Sequence, residues 1–310
     1  MGCCASRRLL VEIEYSMSNS SRRFQDAAAA ASIDAPNMLH SIFKSRGPPC
    51  SFPQSFSPIL ASIQQYIHLG LNQKSLSTIQ NLSLDFAQNL LLRVDGSSMT
   101  AEVKALVKAL TIDEAAAVHA YTVENGPYTP LNKLLREESV DLLDPFVDYL
   151  WLLIHGLSKC PLPFVPLVYR GVRSGVGATY NVGVVITWCS FTSCTTQAEA
   201  LENDTFLGES GERTEFHITL TTNRARSISH LSLMADEAEI LLPPDTRLRV
   251  MGRADRGHGL WVVQLLEEPC LAPIIVAGRK CAFAGSICRL SGEYGTILDV
   301  QPRHRCSFIL

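Results

Sequence analysis

The order of hydrophobic patterns along the chain constrains its fold more than any other feature of the sequence. Apolar residues recur at helical spacing in most segments between residues 59 and 157. After Pro161 and Pro163 the pattern changes to short β-branched, aromatic or alternating runs bounded by glycine, proline and polar turns. Helices followed by strands, without alternation of the two, predict an α+β domain with largely antiparallel or mixed sheets.

The individual segments can be placed along the chain from the same patterns. Two helices are expected within residues 59–92, split at Gly70, and the Thr111-Ile-Asp-Glu114 pattern predicts a capping box that starts a later helix. Further helices are expected over residues 101–110 and 140–157. Strands are expected over residues 164–173, 182–188, 215–221, 239–242, 246–251 and 260–265.

Composition suggests how the chain is divided. Residues 16–58 are rich in Ser, Asn, Pro and Ala and are expected to form a disordered linker. The main domain is placed at residues 100–268. The remaining segments are an N-terminus over 1–15, a helical accessory layer or extension over 59–99, and a C-terminal extension of unassigned role over 269–310.

Charge and cysteine usage narrow the classes of function. The net charge of −3 provides no basic field for nucleic acid, so no nucleic-acid partner is expected. No apolar run reaches the roughly 18 residues that a spanning helix needs. Ten scattered cysteines without a C-x-x-C spacing or a secretory signal predict a reduced, intracellular, cytoplasmic protein that is not secreted and holds no metal.

Three polar clusters lie on or beside the predicted strands. An arginine at a strand end can bind a phosphate through two parallel hydrogen bonds, and a following glycine lets a ligand approach the backbone. Two carboxylates one residue apart repel, so their pKa values separate, and such a pair can both stabilise a cation and accept a proton. In chain order the clusters are Val168-Tyr169-Arg170-Gly171, Ser190-Phe191-Thr192-Ser193-Cys194-Thr195 and Glu237-Ala238-Glu239.

The spacing of the last cluster predicts where its side chains point. If a strand starts at Glu239, its two-residue period puts Glu237 and Glu239 on one side, facing a common cleft. Ile240 and Leu242 would then point into the core. Each cluster alone is typical of a surface charge, a cap or an acidic loop, but their joint order on predicted strands is harder to obtain by chance.

Together these residues resemble the Arg / Ser-Thr-Ser / Glu-x-Glu signature of arginine-specific mono-ADP-ribosyltransferases. The resemblance covers roughly residues 100–268 and implies a helical layer followed by two mixed or antiparallel β-sheets around an NAD cleft. It also implies transfer of ADP-ribose from NAD+ or NADP+ to arginine side chains of acceptor proteins. The sequence departs from the pattern at Cys194, where a threonine is more usual, while the critical hydroxyl corresponds to Ser193.

The resemblance further implies a role for each residue. Glu239 would stabilise the oxocarbenium-like centre formed when nicotinamide leaves, as in glycoside cleavage, and Ser193 would hold Glu239 in its rotamer. Glu237 would orient the acceptor guanidinium and accept its proton. The other NAD-binding residues implied are Tyr169, Arg170, which neutralises the pyrophosphate, Gly171, whose backbone binds the nicotinamide amide, and Phe206, which stacks on its ring.

Several alternatives stay open at this point. The same pocket could hydrolyse NAD+ with water as acceptor, or the chain could be a catalytically silent module that binds a partner. Tyr121, Tyr128 and Asn132 could pack the helical layer or border the adenosine. Arg224 and Arg226 could be solvated charges or could help to bind the protein substrate.

The first residues match an acylation pattern. Met1-Gly2-Cys3-Cys4-Ala5-Ser6 fits N-myristoylation at Gly2, with Cys3 and Cys4 as palmitoylation sites and two arginines after them. One acyl chain binds a membrane only marginally, and a second makes the binding stable. The pattern therefore predicts association with the inner face of a membrane.

Replacing Gly2 by alanine tests this prediction. Because the myristoyl group is attached to the glycine amine, G2A is expected to move the protein from the membrane fraction to the soluble fraction. Fractionation of cells that express either form measures the shift, with an A5G variant as the control. An unchanged distribution of G2A would contradict acylation.

Overall fold

The computed structural model describes residues 73–124, 126–137, 140–202, 207–208, 210–233 and 238–269. The expected N-terminal segment, the linker, the first helix of residues 59–92 and nearly all of the C-terminal extension lie outside these ranges. The α-helices of the described residues are α1 Gln73–Arg93, α2 Ala101–Lys108, α3 Ile112–Thr122, α4 Tyr128–Arg136 and α5 Val147–Lys159.

Local sequence explains where these helices begin. The capping box expected at Thr111 is confirmed, because its hydroxyl accepts from the Glu114 N–H and the Glu114 carboxylate accepts from the Thr111 N–H. The single helix expected over residues 140–157 is instead a 3-10 helix, Val140–Phe146, followed by α5. Pro145 accounts for the break, because proline has no N–H to donate to the preceding helical turn.

The helices form one apolar layer. Buried residues from α1, α3, α4 and α5 belong to the same core cluster, including Ile79 and Ala87 of α1. The contact between α3 and α5 is close: a Cβ at Gly156 would lie 2.9 Å from the Glu114 carbonyl oxygen. An ion pair ties the same two helices, since the Lys159 ammonium lies 2.7 Å from both carboxylate oxygens of Glu114.

The strands follow the helices along the chain, as expected. They are β1 Leu167–Val172, β2 Val185–Trp188, β3 Thr192–Thr195, β4 Arg213–Thr219, β5 Arg226–Ser227, β6 Glu239–Leu242, β7 Thr246–Asp255 and β8 Leu260–Glu268. Their hydrogen-bonded order is β2-β7-β8-β4-β1-β3-β6-β5. The neighbours are antiparallel except for β4 and β8, so the sheet is mixed and the α+β fold class is confirmed.

The two expected sheets are two halves of this one curved sheet. Trp188 on β2 and Phe216 on β4 are three strands apart, or about 14 Å in a flat sheet. Their ring centroids nevertheless lie only 5.4 Å apart. Cys194, Ile240 and Leu242 of β3 and β6 join the same buried cluster as these rings. The sheet therefore bends to enclose a second core, and β1 and β3, paired at Tyr169 and Thr195, form the junction between its halves.

The partly buried ion pair between α3 and α5 should stabilise the helical layer. E114A removes the cap of α3 and leaves Lys159 without this partner, so we expect the free energy of unfolding to fall by about 2–4 kcal/mol. Urea denaturation measures the change. The control is E137A, because Glu137 and Lys133 form an exposed pair at 4.0 Å and its loss should cost about 0.5 kcal/mol or less. Equal losses in the two variants would contradict the prediction.

Candidate active site

The three polar clusters of the sequence meet on three adjacent strands. Arg170 lies on β1, Ser193 on β3 and Glu239 at the first position of β6, and these strands are neighbours in the sheet. Tyr169 is paired with Thr195, and Thr195 is paired with Glu239. Residues directly opposite each other in a sheet have their side chains on the same face. The side chains of Tyr169, Thr195 and Glu239 therefore form one row across β1, β3 and β6, which we call the cross-strand row.

Arg170 connects β1 to β3. Its guanidinium donates a hydrogen bond of 2.9 Å to the carbonyl oxygen of Ser193, and the side chain is buried. Strand periodicity puts Arg170 on the opposite face from the cross-strand row, toward the core between the sheet halves. Tyr180 lies within reach of its charge: burial raises the pKa of Tyr180, while a hydrogen bond from Trp188 and the positive charge of Arg170 lower it.

Glu239 is held from the loop that precedes it. Its side chain has no exposed surface, and its Oε2 accepts a hydrogen bond of 2.9 Å from the Ser232 hydroxyl. The Glu239 carbonyl also accepts from the N–H of Ile228 at 3.0 Å. Ser232 was not singled out from the sequence, because a serine seven residues before a glutamate carries no local signal.

Ser193 shares the face of Glu239. It is paired with Leu241, two residues after Glu239, so Ser193 and Glu239 are diagonal neighbours. Ser193 also contacts Arg170, another predicted site residue, and it does so through its main-chain carbonyl oxygen.

Cys194, the residue that departs from the family pattern, points away from this face. It belongs to the core between the sheet halves. Burial raises the pKa of its thiol to about 12, while Arg170 lowers it and Glu239 raises it. Arg170 and Glu239 thus both lie near enough to influence this buried thiol. The substitution affects the core, and the row of Glu239 retains its hydroxyl-bearing neighbours.

Tyr169 and Gly171 lie beneath an apolar turn. Leu201 and Leu207 form a small buried cluster against which Tyr169 packs. A Cβ at Gly171 would lie 3.2 Å from both Cβ and Cδ1 of Leu207, so any side chain here would require the leucine to shift by a few tenths of an ångström. On the other side, the Tyr169 ring meets the edge of His217, whose Nε2 lies 2.6 Å from a carboxylate oxygen of Glu215. Neither His217 nor Glu215 was assigned to the site from the sequence.

The helical layer supports β3 through a buried amide. Asn132 donates from Nδ2 to the Tyr121 hydroxyl at 2.9 Å, and its Oδ1 accepts from the N–H of Phe191 at 3.1 Å. The Tyr121 ring contacts the rings of both Tyr128 and Phe191. Of the two interpretations left open, the structure thus supports packing for Tyr121, Tyr128 and Asn132, since all three are buried.

The two arginines before the glutamate pair are not solvated charges. Arg224 is buried and donates to the carbonyl oxygens of Pro244 and Asp245, so it holds the turn between β6 and β7. Asp245 in that turn has a φ of +59°. Arg226 is 1% exposed, and burial lowers the pKa of its guanidinium to about 10. Arg226 also donates to the carbonyl oxygen of Ala225. Both guanidiniums therefore bond to main-chain oxygens in the interior, which contradicts their interpretation as solvated charges.

Several predicted residues lie outside the described part of the chain. These are Glu237, Phe206, Gly2, Cys3 and Cys4. The shared side expected for Glu237 and Glu239 stays a prediction, because Glu237 is not among the described residues; β6 begins at Glu239, and Ala238 before it has a φ of +47°. Among the described residues, no group of three or more His, Cys, Asp or Glu is arranged to hold a metal ion. In those same ranges no helix combines the length and apolar character needed to cross a membrane.

The raised thiol pKa values predict a loss of stability at alkaline pH. Burial raises the pKa of both Cys160 and Cys194 to about 12, above the ordinary value of 9.0. Below pH 9 the thiols are protonated in both the folded and the unfolded state, so this contribution to stability is intact. Above pH 9 only the unfolded chain loses the protons, and unfolding becomes more favourable.

Cysteine variants measure that contribution. Between pH 8 and pH 10, C160A and C194A should each reduce the pH-dependent loss of unfolding free energy by about 1–2 kcal/mol. Urea denaturation at several pH values gives the slopes. V263A alters a buried side chain that has no ionisable group. It should therefore lower the free energy of unfolding by the same amount at pH 8 and at pH 10. If the unfolding free energy of the cysteine variants falls with pH as steeply as that of the parent chain, the prediction is wrong.

Comparisons with known proteins agree with this arrangement. Residues 83–269, more than half of the chain, match the family model described as NAD:arginine ADP-ribosyltransferase. A Mycobacterium avium (strain 104) protein, named as a candidate NAD(+)--arginine ADP-ribosyltransferase Mav, is 34% identical over 164 residues, covering 51% of this chain and 18% of that protein. NAD(+)--protein-arginine ADP-ribosyltransferase Tre1 of Serratia proteamaculans (strain 568) is 27% identical over 157 residues, covering 47% and 30% respectively.

The fold is also similar to solved structures. The type III effector XopAI of Xanthomonas axonopodis pv. citri superposes with a TM-score of 0.54 at 15% identity, covering 74% of this chain and 95% of that one. This likeness concerns the fold. The chain spans less than a third of the length of either sequence relative. Because the family model matches over most of the described residues, the chain belongs to the NAD:arginine ADP-ribosyltransferase family.

Proposed function

We propose that the protein transfers ADP-ribose from NAD+ to arginine side chains of acceptor proteins and releases nicotinamide. The observation that carries this proposal is the cross-strand row, in which Glu239 is aligned with Thr195 and Tyr169. Arg170 is bonded to the middle strand of the same three. Family membership supports NAD+ as the donor and arginine as the acceptor.

Glu239 is the group suited to the bond-breaking step. Departure of neutral nicotinamide breaks the glycosidic C–N bond and leaves positive charge on the ribose carbon and ring oxygen. A carboxylate close to the ribose stabilises that charge and can accept a hydrogen bond from the 2′-hydroxyl. The Ser232 hydroxyl restricts the Glu239 side chain, so less reorganisation is needed as the charge develops.

The other groups would bind the dinucleotide. In this proposal the Ser193 hydroxyl faces the ribose beside Glu239. Arg170 holds β3 from the opposite face through the Ser193 carbonyl oxygen, and its assignment to the pyrophosphate rests on the family pattern. Tyr169 and Gly171 would line the nicotinamide side. The assignment of Phe206 to stacking on nicotinamide rests on the family pattern, in which it follows the serine-containing strand.

The acceptor step requires a base. An arginine guanidinium is fully protonated near neutral pH and is a poor nucleophile in that form. We assign to Glu237 the orientation of the acceptor and the removal of one proton as the new bond forms between the ribose carbon and the guanidinium nitrogen. The assignment rests on the sequence, where a glutamate occupies the first position of the Glu-x-Glu pattern.

Labelled NAD+ tests the two glutamate assignments. E239Q should lose nicotinamide release and arginine labelling by at least about 10²-fold, because the charge that stabilises the cation is removed. E237Q should lose labelling of polyarginine while retaining NAD+ hydrolysis. Chromatography of free nicotinamide and counting of the labelled acceptor measure the two reactions, and E102Q on the exposed side of α2 is the control. Unchanged turnover in E239Q would remove the mechanism.

The parent protein distinguishes the alternative functions in the same assay. Labelled polyarginine supports transfer, whereas free ADP-ribose without labelled acceptor supports an NAD+ glycohydrolase. Absence of nicotinamide release supports a catalytically silent module. Repeating the assay with NADP+ determines whether the donor can carry a 2′-phosphate.

We further propose that the protein acts inside the cell, at the inner face of a membrane. The basis is the residue pattern Met1-Gly2-Cys3-Cys4 together with the arginines that follow it. This placement would bring the enzyme close to membrane-associated acceptor proteins, and it applies only where Gly2 becomes the terminal residue.

A further inference from the structure

A buried hydroxyl at the end of α3 contacts the loop that holds Glu239. Thr122 is the last residue of α3 and is 1% exposed. Its hydroxyl donates to the His119 carbonyl at 2.7 Å, which fixes its orientation within the helix. The same oxygen accepts a hydrogen bond of 3.0 Å from the N–H of Leu233, a residue 111 positions later in the chain.

The next residue of that loop bonds to the Glu239 carboxylate. Ser232 precedes Leu233, and its hydroxyl donates to Oε2 of Glu239. The loop is otherwise anchored at its start, where Ile228 donates its N–H to the Glu239 carbonyl and accepts from the N–H groups of Leu231 and Ser232. Ile228 and Leu231 are fully buried in the helical core. The turn at Ile228 anchors the start of residues 228–233. Thr122 anchors the other end, at Leu233.

We propose that Thr122 is a positioning residue for Glu239, and that it acts through Leu233 and Ser232. Its hydrogen bond fixes the backbone at Leu233, which in turn sets the direction from which the Ser232 hydroxyl reaches the carboxylate. The helical layer thereby controls the orientation of a group on the sheet. The catalytic consequence rests on the proposed function, in which Glu239 stabilises the cationic sugar.

Geometry explains why such a contact should affect turnover more than substrate binding. Thr122 touches neither the cross-strand row nor Arg170 in the contacts described above. A shift of the Ser232 hydroxyl would leave the dinucleotide-binding groups in place but would loosen the carboxylate that faces the developing charge. Small displacements of such groups reduce the rate because charge stabilisation depends on their pre-organisation.

The first experiment compares two substitutions of Thr122. T122V keeps the shape of the side chain and removes the hydroxyl, so kcat for nicotinamide release should fall about tenfold while KM for NAD+ changes less than about twofold. T122S keeps the hydroxyl and should stay within about twofold of the parent protein. Equal kcat in T122V and the parent would overturn the proposal, as would a T122S variant as slow as T122V.

A matched control separates positioning from general stability. The Tyr149 hydroxyl donates to the Ala117 carbonyl of α3 at 2.9 Å and is equally buried, so this hydrogen bond supports α3 without involving Leu233 or Ser232. Y149F should lower the melting temperature while leaving kcat unchanged. If Y149F reduces kcat as much as T122V does, the effect is one of helix stability and the proposal is wrong.

A double-mutant cycle tests the route through Ser232. S232A should reduce kcat about tenfold or more, because it removes the hydrogen bond to the Glu239 carboxylate. If Thr122 acts through Ser232, adding T122V to S232A should reduce kcat little further. Reductions that multiply would show that Thr122 acts independently of Ser232 and would overturn the proposed route.

Amide hydrogen exchange provides a readout that does not depend on turnover. The N–H of Leu233 should be protected in the parent protein and in T122S, and should exchange at least about tenfold faster in T122V. Equal protection in T122V would overturn the anchoring contact even if the enzyme is active. A parent protein with no turnover but with this exchange pattern would refute the proposed function and retain the anchor.

Discussion

The hydrogen bond from the Arg170 guanidinium to the Ser193 carbonyl joins the two halves of the sheet, and the position of the candidate site depends on that junction. β1 and β3 are paired at Tyr169 and Thr195, so few main-chain contacts hold the bend. A guanidinium can bridge such a gap because several N–H donors radiate from one plane. The same side chain that the family pattern assigns to pyrophosphate binding thus helps to set the distance between β1 and the strands that carry Ser193 and Glu239.

The helical layer is the second support of the site. Two consecutive residues at the end of α3 reach the sheet: Tyr121 through Asn132 to Phe191, and Thr122 to Leu233. One contact leads to the start of the serine-containing strand and the other to the loop before Glu239. The capping box and the Glu114–Lys159 pair fix α3 itself. One helix therefore supports both the start of β3 and the loop before Glu239. Buried polar groups carry these connections because their directional bonds specify one arrangement, which apolar packing alone does not.

Much of the fold was predictable from local pattern. Helices before strands, the capping box at Thr111 and the burial of Ile240 and Leu242 all follow from periodicity and capping chemistry. The break at Pro145 was missed because the apolar spacing continues across it. The shared side expected for Glu237 and Glu239 stays a prediction, and the positive φ of Ala238 is a backbone conformation that alternating geometry does not anticipate. Of the two alternatives for Arg224 and Arg226, that of solvated charges was wrong, since burial depends on what covers a residue and not on its type.

The sequence by itself determined the fold class, the three polar clusters and the family that they indicate, because each depends on residue types at short spacing. Only the tertiary structure decided which strands are adjacent, that the sheet bends into two facing halves, and that Ser232 and Thr122 support Glu239. Those features depend on contacts between residues separated by as many as 111 positions, and hydrogen bonds of that range leave no periodic trace along a single chain. Local pattern therefore supplied the reactive groups, and long-range pairing supplied their geometry.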